Sequence, residues 1–248
     1  MEEYKHNHIS NVISRADFST PIFALKDDVP KELGTICTKY FPILEPRNIA
    51  VQQIVFNPDP TKTERINASV KEWHFFDKTR ENKLVITTDY MYIESTKYKN
   101  WDEMRDSFIE ILETLFKINN QMEIKRFGLR YINNITMPGN KFSWGTYLNK
   151  NLLSIFKINL DKDTIARAVG NIELNFGNYF LRFQYGMVNP DHPAPIKKKI
   201  FTLDYDTYTS GSLNVDEIKT YIGVFHEKIK ELFEISITQK LRDKMNAD

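Results

Sequence analysis

The chain has one cysteine, Cys37, only nine glycines and no long apolar run. A lone cysteine excludes an intrachain disulfide and a cysteine-built zinc site, and it suits a reducing cytoplasm. Few glycines leave little from which to build a nucleotide cradle. No phosphate loop, Rossmann fingerprint, nucleophile elbow or His-Glu-x-x-His string occurs. No stretch approaches the roughly 20 apolar residues that span a bilayer. The opening MEEYKHNHIS carries no apolar core of a signal peptide. A cytoplasmic protein without a membrane partner is therefore expected. An excess of charge is missing too: 34 Lys and Arg face 33 Asp and Glu, a net of +1. That balance argues against holding nucleic acid by bulk charge, although it leaves room for a local basic patch.

What is present is an ordinary folding composition, 41% hydrophobic and 13% aromatic, and a pattern that occurs twice. A strand-like run ending at Tyr98 precedes Trp101-Asp102-Glu103-Met104, which opens an amphipathic helix closing on Leu115-Phe116-Lys117-Ile118. A second strand-like run ending at Tyr208 precedes Val215-Asp216-Glu217-Ile218, whose helix passes Leu232-Phe233-Glu234-Ile235. Such a unit is too long for a solenoid repeat and implies a duplicated domain half. The expected class is α+β. Two pseudo-repeats, residues 1–120 and 121–248, would each run strand, helix, three strands, helix, and would share one core. The result would be about eight mostly antiparallel strands with two long helices on one face.

Periodicity supports these elements. Met104, Phe108, Ile111, Leu112, Leu115 and Ile118 recur at helical steps behind Asn100 as a cap. Ile172, Leu174 and Phe176 alternate with polar residues, as do Leu181 and Phe183, on a hairpin closing at Gly177-Asn178. Residues 83–98 read as one central strand, Pro58-Asp59-Pro60 as a turn, 144–156 as a short helix, and the last helix runs from Asn214 towards Met245.

If the helices cover the face bearing Phe127, Leu129, Tyr131, Ile172, Leu174, Leu181 and Phe183, the opposite face carries Arg126, Arg130, Asn171, Glu173, Arg182 and Gln184. Arg15 and Asp17 lie in the matching strand of the first unit. Guanidinium forks pair bidentately with oxyanions, so this face is the candidate ligand surface: Arg15, Asp17, Arg126, Arg130, Glu173, Arg182 and Gln184. A solvated face of an antiparallel sheet must carry polar residues in any case, and Arg beside Asp and Glu is also ordinary surface pairing. Trp73-His74-Phe75-Phe76 places Trp73 and Phe75 on one face and His74 with Phe76 on the other. The histidines are scattered, and a metal needs several converging ligands, so neither metal nor cofactor is expected. Asp191 and His192, in a proline-rich loop, are the catalytic candidates; no nucleophile stands at a fixed spacing from them.

Three stretches, NVISRADF followed by Pro21-Ile22, FGLRYINNI (127–135) and LFEISITQKLRDKM (232–245), resemble a sporadically distributed prokaryotic family of proteins of about this length with no established activity. The resemblance implies a bacterial or archaeal cytoplasmic protein, and patchy distribution implies an accessory role in toxin or antiviral defence. In it Arg130, Tyr131, Asn133, Asn134, Ser236 and Thr238 are motif positions; Asn133 and Asn134 would end a strand, and Ser236 to Thr238 would dock the tail. The function expected first is a non-enzymatic binding or regulatory protein that takes a protein partner, such as a neighbouring-gene product, or an anionic ligand. A nucleic-acid-binding saddle and a nucleotide- or RNA-processing enzyme are the alternatives, and a homodimer is compatible with each.

Overall fold

Strand β1 (Ile9–Phe18) alternates buried and part-exposed residues along its length, the period-two signature of a strand with one face in a core. A computed structural model describes residues 4–56, 63–158 and 160–247, with the backbone alone at 51–56 and 63–68. The expected turn at Pro58-Asp59-Pro60 lies outside the described residues. After β1 come α1 (Lys31–Tyr40), β2 (Ile43–Phe56), β3 (Thr63–Phe76), β4 (Asn82–Ile86), β5 (Tyr90–Ser95) and α2 (Trp101–Ile118). The chain continues with β6 (Ile124–Thr136), a 3-10 helix (Lys150–Lys157), β7 (Ala168–Asn175), β8 (Phe180–Met187), β9 (Ile200–Tyr208), α3 (Val215–Ser236) and α4 (Gln239–Asn246).

The fold is α+β. Among the described residues nine strands form one sheet in the order β2-β3-β4-β5-β1-β6-β9-β8-β7, and every pairing between them is antiparallel. Helix α3 packs on β6 and β9, α2 on β5 and α3, and α1 on α2. The covered face supplies Val12, Ala16, Met91, Ile93, Phe127, Leu129, Tyr131, Leu181, Phe183, Leu203 and Tyr205 to a single core. Phe127 lies at its centre, stacked on Phe225 of α3 at 5.5 Å and 8° and tilted against Phe108 of α2 at 5.6 Å. A fully buried aromatic of this kind contributes about 1.5–3 kcal/mol. Both long helices start on asparagine caps. Asn100 accepts from the Glu103 amide, and Asn214 with Glu217 forms a complete capping box.

Five expectations are corrected. Residues 83–98 form a hairpin, not one strand: Thr87 Oγ1 accepts from the amides of Asp89 and Tyr90 at 3.0 and 3.1 Å and turns the chain between β4 and β5. Four strands, β2 to β5, therefore separate α1 from α2. The final helix breaks at Ile237, which is extended and bridges to Leu148. There the Thr238 amide donates to Tyr147 O, its hydroxyl to Thr146 O, and the Asn149 amide to Ser236 O, which replaces the helical ladder. Asn133 and Asn134 do not end their strand, since β6 runs on to Thr136. Ile172, expected under the helices, is 42% exposed because β7 is the sheet edge. The expected helix at 144–156 is turns followed by 3-10 helix from Lys150.

Candidate functional site

The uncovered sheet face is built by the alternate residues of the same strands. Across β1, β6, β9, β8 and β7 the register sets Ile13, Arg130, Asp206, Arg182 and Glu173 in one row. The next row holds Arg15, Gly128, Tyr208, Phe180 and Asn175. Beyond them Asp17 stands opposite Arg126, and Asp204 opposite Gln184. Every ligand-face residue expected from the sequence thus shares one surface. Gln184 and Glu173 belong to it through register; the charged contacts lie nearer its middle.

Those contacts sort into pairs. Arg130 holds Asp204 through two hydrogen bonds, Nε to Oδ1 at 2.8 Å and Nη2 to Oδ2 at 2.6 Å. The Asp204 bond raises the Arg130 pKa above its already high ordinary value. Arg15 donates to Asp17 at 2.8 Å, and Arg182 to Asp206 at 2.8 Å. Arg126 is different. It lies 3.9 Å from both Asp17 and Asp206, and among the described residues it donates no hydrogen bond. Its guanidinium rests over the Tyr208 ring at 4.8 Å, as Arg15 rests over Tyr90 at 4.2 Å.

Between these groups lies a hollow of about 380 Å³ with Gly128 on its floor, lined by Ile13, Arg15, Asp17, Arg126, Gly128, Arg130 and Asp206. A Cβ on Gly128 would meet Arg126 Nη1 at 3.3 Å and Thr207 O at 3.5 Å. The backbone here is ordinary extended strand, so the glycine serves space rather than conformation.

Towards β3 the face closes over. Glu72 accepts from the Tyr90 hydroxyl at 2.6 Å and pairs with His74 Nε2 at 2.6 Å. Burial opposes ionisation of Glu72, but these two bonds hold its carboxyl below the usual range. Burial, then Glu72, pushes the Tyr90 hydroxyl up. His74 and Phe76, expected on the face opposite Trp73 and Phe75, lie on the uncovered side of the sheet by register and are buried there.

Asp204, Asp206, Tyr208, Tyr90 and Glu72 were not singled out by the sequence. The alternation of Asp204 and Asp206 in LDYDTY was the available signal for two of them. The catalytic candidates stand apart: Asp191 and His192 are exposed on the loop after β8, Asp191 pairs with Lys198 at 3.4 Å, and none of these residues lines the hollow. Among the described residues no group of three or more His, Cys, Asp and Glu could hold a metal ion, and no helix is long and apolar enough to cross a membrane. No family model and no curated protein matches the chain.

Proposed function

We propose that the chain is a binding protein whose uncovered sheet face takes an oxyanion over Gly128. One observation carries this reading. Three guanidinium groups (Arg15, Arg126 and Arg130) and two carboxylates (Asp17 and Asp206) line the hollow; Arg15 takes Asp17, Arg182 takes Asp206, Arg130 is held by Asp204, and Arg126 is left over. A guanidinium presents five donors, and those of Arg126 have no acceptor among the described residues. A phosphate or carboxylate over Gly128 would supply one.

We also infer that the domain arose by duplication. The strand orders β1-β5-β4-β3 and β6-β9-β8-β7 match around the β1–β6 junction. Superposing Ile13, Arg15 and Asp17 on Gly128, Arg130 and Ile132 carries their β5 partners Glu94, Tyr92 and Tyr90 onto the β9 partners Tyr208, Asp206 and Asp204. On this reading β2 is an addition to the first unit, and the hollow lies at the seam between the halves. The defence-accessory role implied by the resemblance would give the bound group a signalling purpose; co-purification with a neighbouring-gene product tests it.

The direct test is a titration with inorganic phosphate, following the arginine Nε–H resonances by NMR. A saturable shift of the Arg126 signal is expected, absent in Arg126→Ala with an unchanged unfolding midpoint. No saturable shift at tens of millimolar, or equal binding by Arg126→Ala, would overturn the reading.

A further inference from the structure

Beside the hollow stands a pair of aromatic rings that oxyanion capture alone does not use. Tyr208 is the cross-strand partner of Gly128, and Phe180 is the partner of Tyr208. Their rings stack at 5.6 Å and 26°, and both are part-exposed. Cation, hollow, ring and ring therefore follow one another across four adjacent strands. Neighbouring strands are about 4.8 Å apart, so one strand step separates the Gly128 hollow from the Tyr208 ring. A ribose bridges a gap of that order.

We propose that the Gly128 hollow and the Tyr208–Phe180 rings together form a subsite for one nucleotide unit, its phosphate over Gly128 and its base on Tyr208. This rests on the oxyanion reading above and adds the ligand class. Arg126 makes the exchange feasible. It covers Tyr208 through a cation–π contact, which at a part-exposed site is worth only about 0.5–1 kcal/mol, and no hydrogen bond restrains it. On binding, the guanidinium leaves the ring for the phosphate and the vacated ring face takes the base. Asp17 and Asp206 do not repel the phosphate outright, because Arg15 and Arg182 already neutralise them. The rest of the face is close to balanced in charge, so binding is local. Its salt dependence should be that of about one phosphate, a log–log slope near −0.7.

The unit can come from a free nucleotide or from a single strand, and the test separates the two. Inorganic phosphate, ribose 5-phosphate, AMP and a single-stranded hexa-adenylate are titrated calorimetrically into the full chain. Base stacking on an aromatic side chain is worth enough to make AMP bind about fivefold or more tighter than ribose 5-phosphate. Tyr208→Leu should abolish that difference while phosphate binding persists, and Tyr208→Phe should keep it. If Tyr208→Leu fails to fold, Phe180→Leu, which unstacks the ring, should reduce the difference. Hexa-adenylate binding well above AMP identifies a single strand as the source; equal affinity identifies the free nucleotide. If ribose 5-phosphate and AMP bind alike, the nucleotide assignment is wrong while the oxyanion site stands. If phosphate itself does not bind, both fail.

Discussion

Arg130 on β6 reaches diagonally past its cross-strand partner Asp206 to Asp204 on β9, two residues along, and holds it by two hydrogen bonds of 2.8 and 2.6 Å. Asp204 is only 7% exposed, so this pair is held far more tightly than the 3.9 Å contacts of Arg126. Breaking the Arg130 pair should therefore cost more stability than removing Arg126. Asp204→Ala leaves a half-buried guanidinium without its acceptor and should cost about 1–2 kcal/mol, less than for a fully buried pair because Arg130 still reaches water. Arg126→Ala should cost less than about 0.5 kcal/mol. Urea unfolding midpoints decide it; equal losses would mean that Arg126 is as structural as Arg130.

Where the sequence was legible, a short-range rule governed the outcome. The period of α2, its Asn100 cap, the β7–β8 hairpin at Gly177-Asn178 and the alternation placing Arg15, Arg126, Arg130 and Arg182 on one face all follow from local geometry. The site was less legible because its composition depends on register. Nothing local says that Asp204 meets Arg130, or that Gly128 and Tyr208 are cross-strand partners; both follow from strand order. The hairpin at Thr87 was hidden because β4 and β5 are both apolar and the turn uses a threonine hydroxyl rather than glycine or proline. The break at Ile237 was hidden because its replacement bonds come from residues 146–149, remote in sequence.

Gly186 in β8 shows what a conformational glycine looks like beside the spatial one at Gly128. Its φ is +137°, and a Cβ there would fall 2.1 Å from Ala168 O and 2.9 Å from Val169 Cα. Those are backbone atoms of the paired strand, which cannot yield without opening the β7–β8 ladder. Gly186→Ala should lose more than about 3 kcal/mol through strain and clash together. Gly128→Ala should lose less than about 1 kcal/mol, because the flexible end of Arg126 can give way. Thermal unfolding of both variants tests the contrast, and a tolerated Gly186→Ala would refute it.

The α3–α4 junction is fixed from inside the core by Tyr205. Its hydroxyl donates to Ser236 Oγ at 3.0 Å, and Ser236 passes a hydrogen bond to Leu232 O at 2.6 Å. Tyr205 is fully buried, and burial drives its pKa up, so the hydroxyl stays protonated and needs an acceptor. Ser236→Ala should cost about 1–3 kcal/mol, since it leaves that hydroxyl nearly unpaired. Tyr205→Phe combined with Ser236→Ala should cost less than the two single losses added. A double-mutant cycle showing simple additivity would dissolve the coupling.

His226 of α3 should make stability depend on pH. Its ring stacks on Trp101 at 4.0 Å and 9°, its Nδ1 lies 3.1 Å from the Tyr131 hydroxyl, and only 5% of the residue is exposed. Burial, reinforced by Lys230 and Arg105, lowers its pKa to about 4. The folded value thus lies below the unfolded one of about 6.5. Above pH ~6.5 the ring is neutral in both states and contributes no slope. Between about 6.5 and 4 the unfolded chain binds the extra proton, so stability falls as pH falls, by up to about 3 kcal/mol over the full interval. His226→Phe keeps a ring against Trp101 but cannot titrate. At pH 7 it should be less stable than wild type by about 0.5–1.5 kcal/mol for the lost Tyr131 hydrogen bond. Near pH 4.5 that order should reverse, because only the wild type must keep a proton off a buried ring. Urea melts at pH 7, 5.5 and 4.5 measure the crossing; parallel stability curves for the two proteins would show that His226 does not titrate in this range.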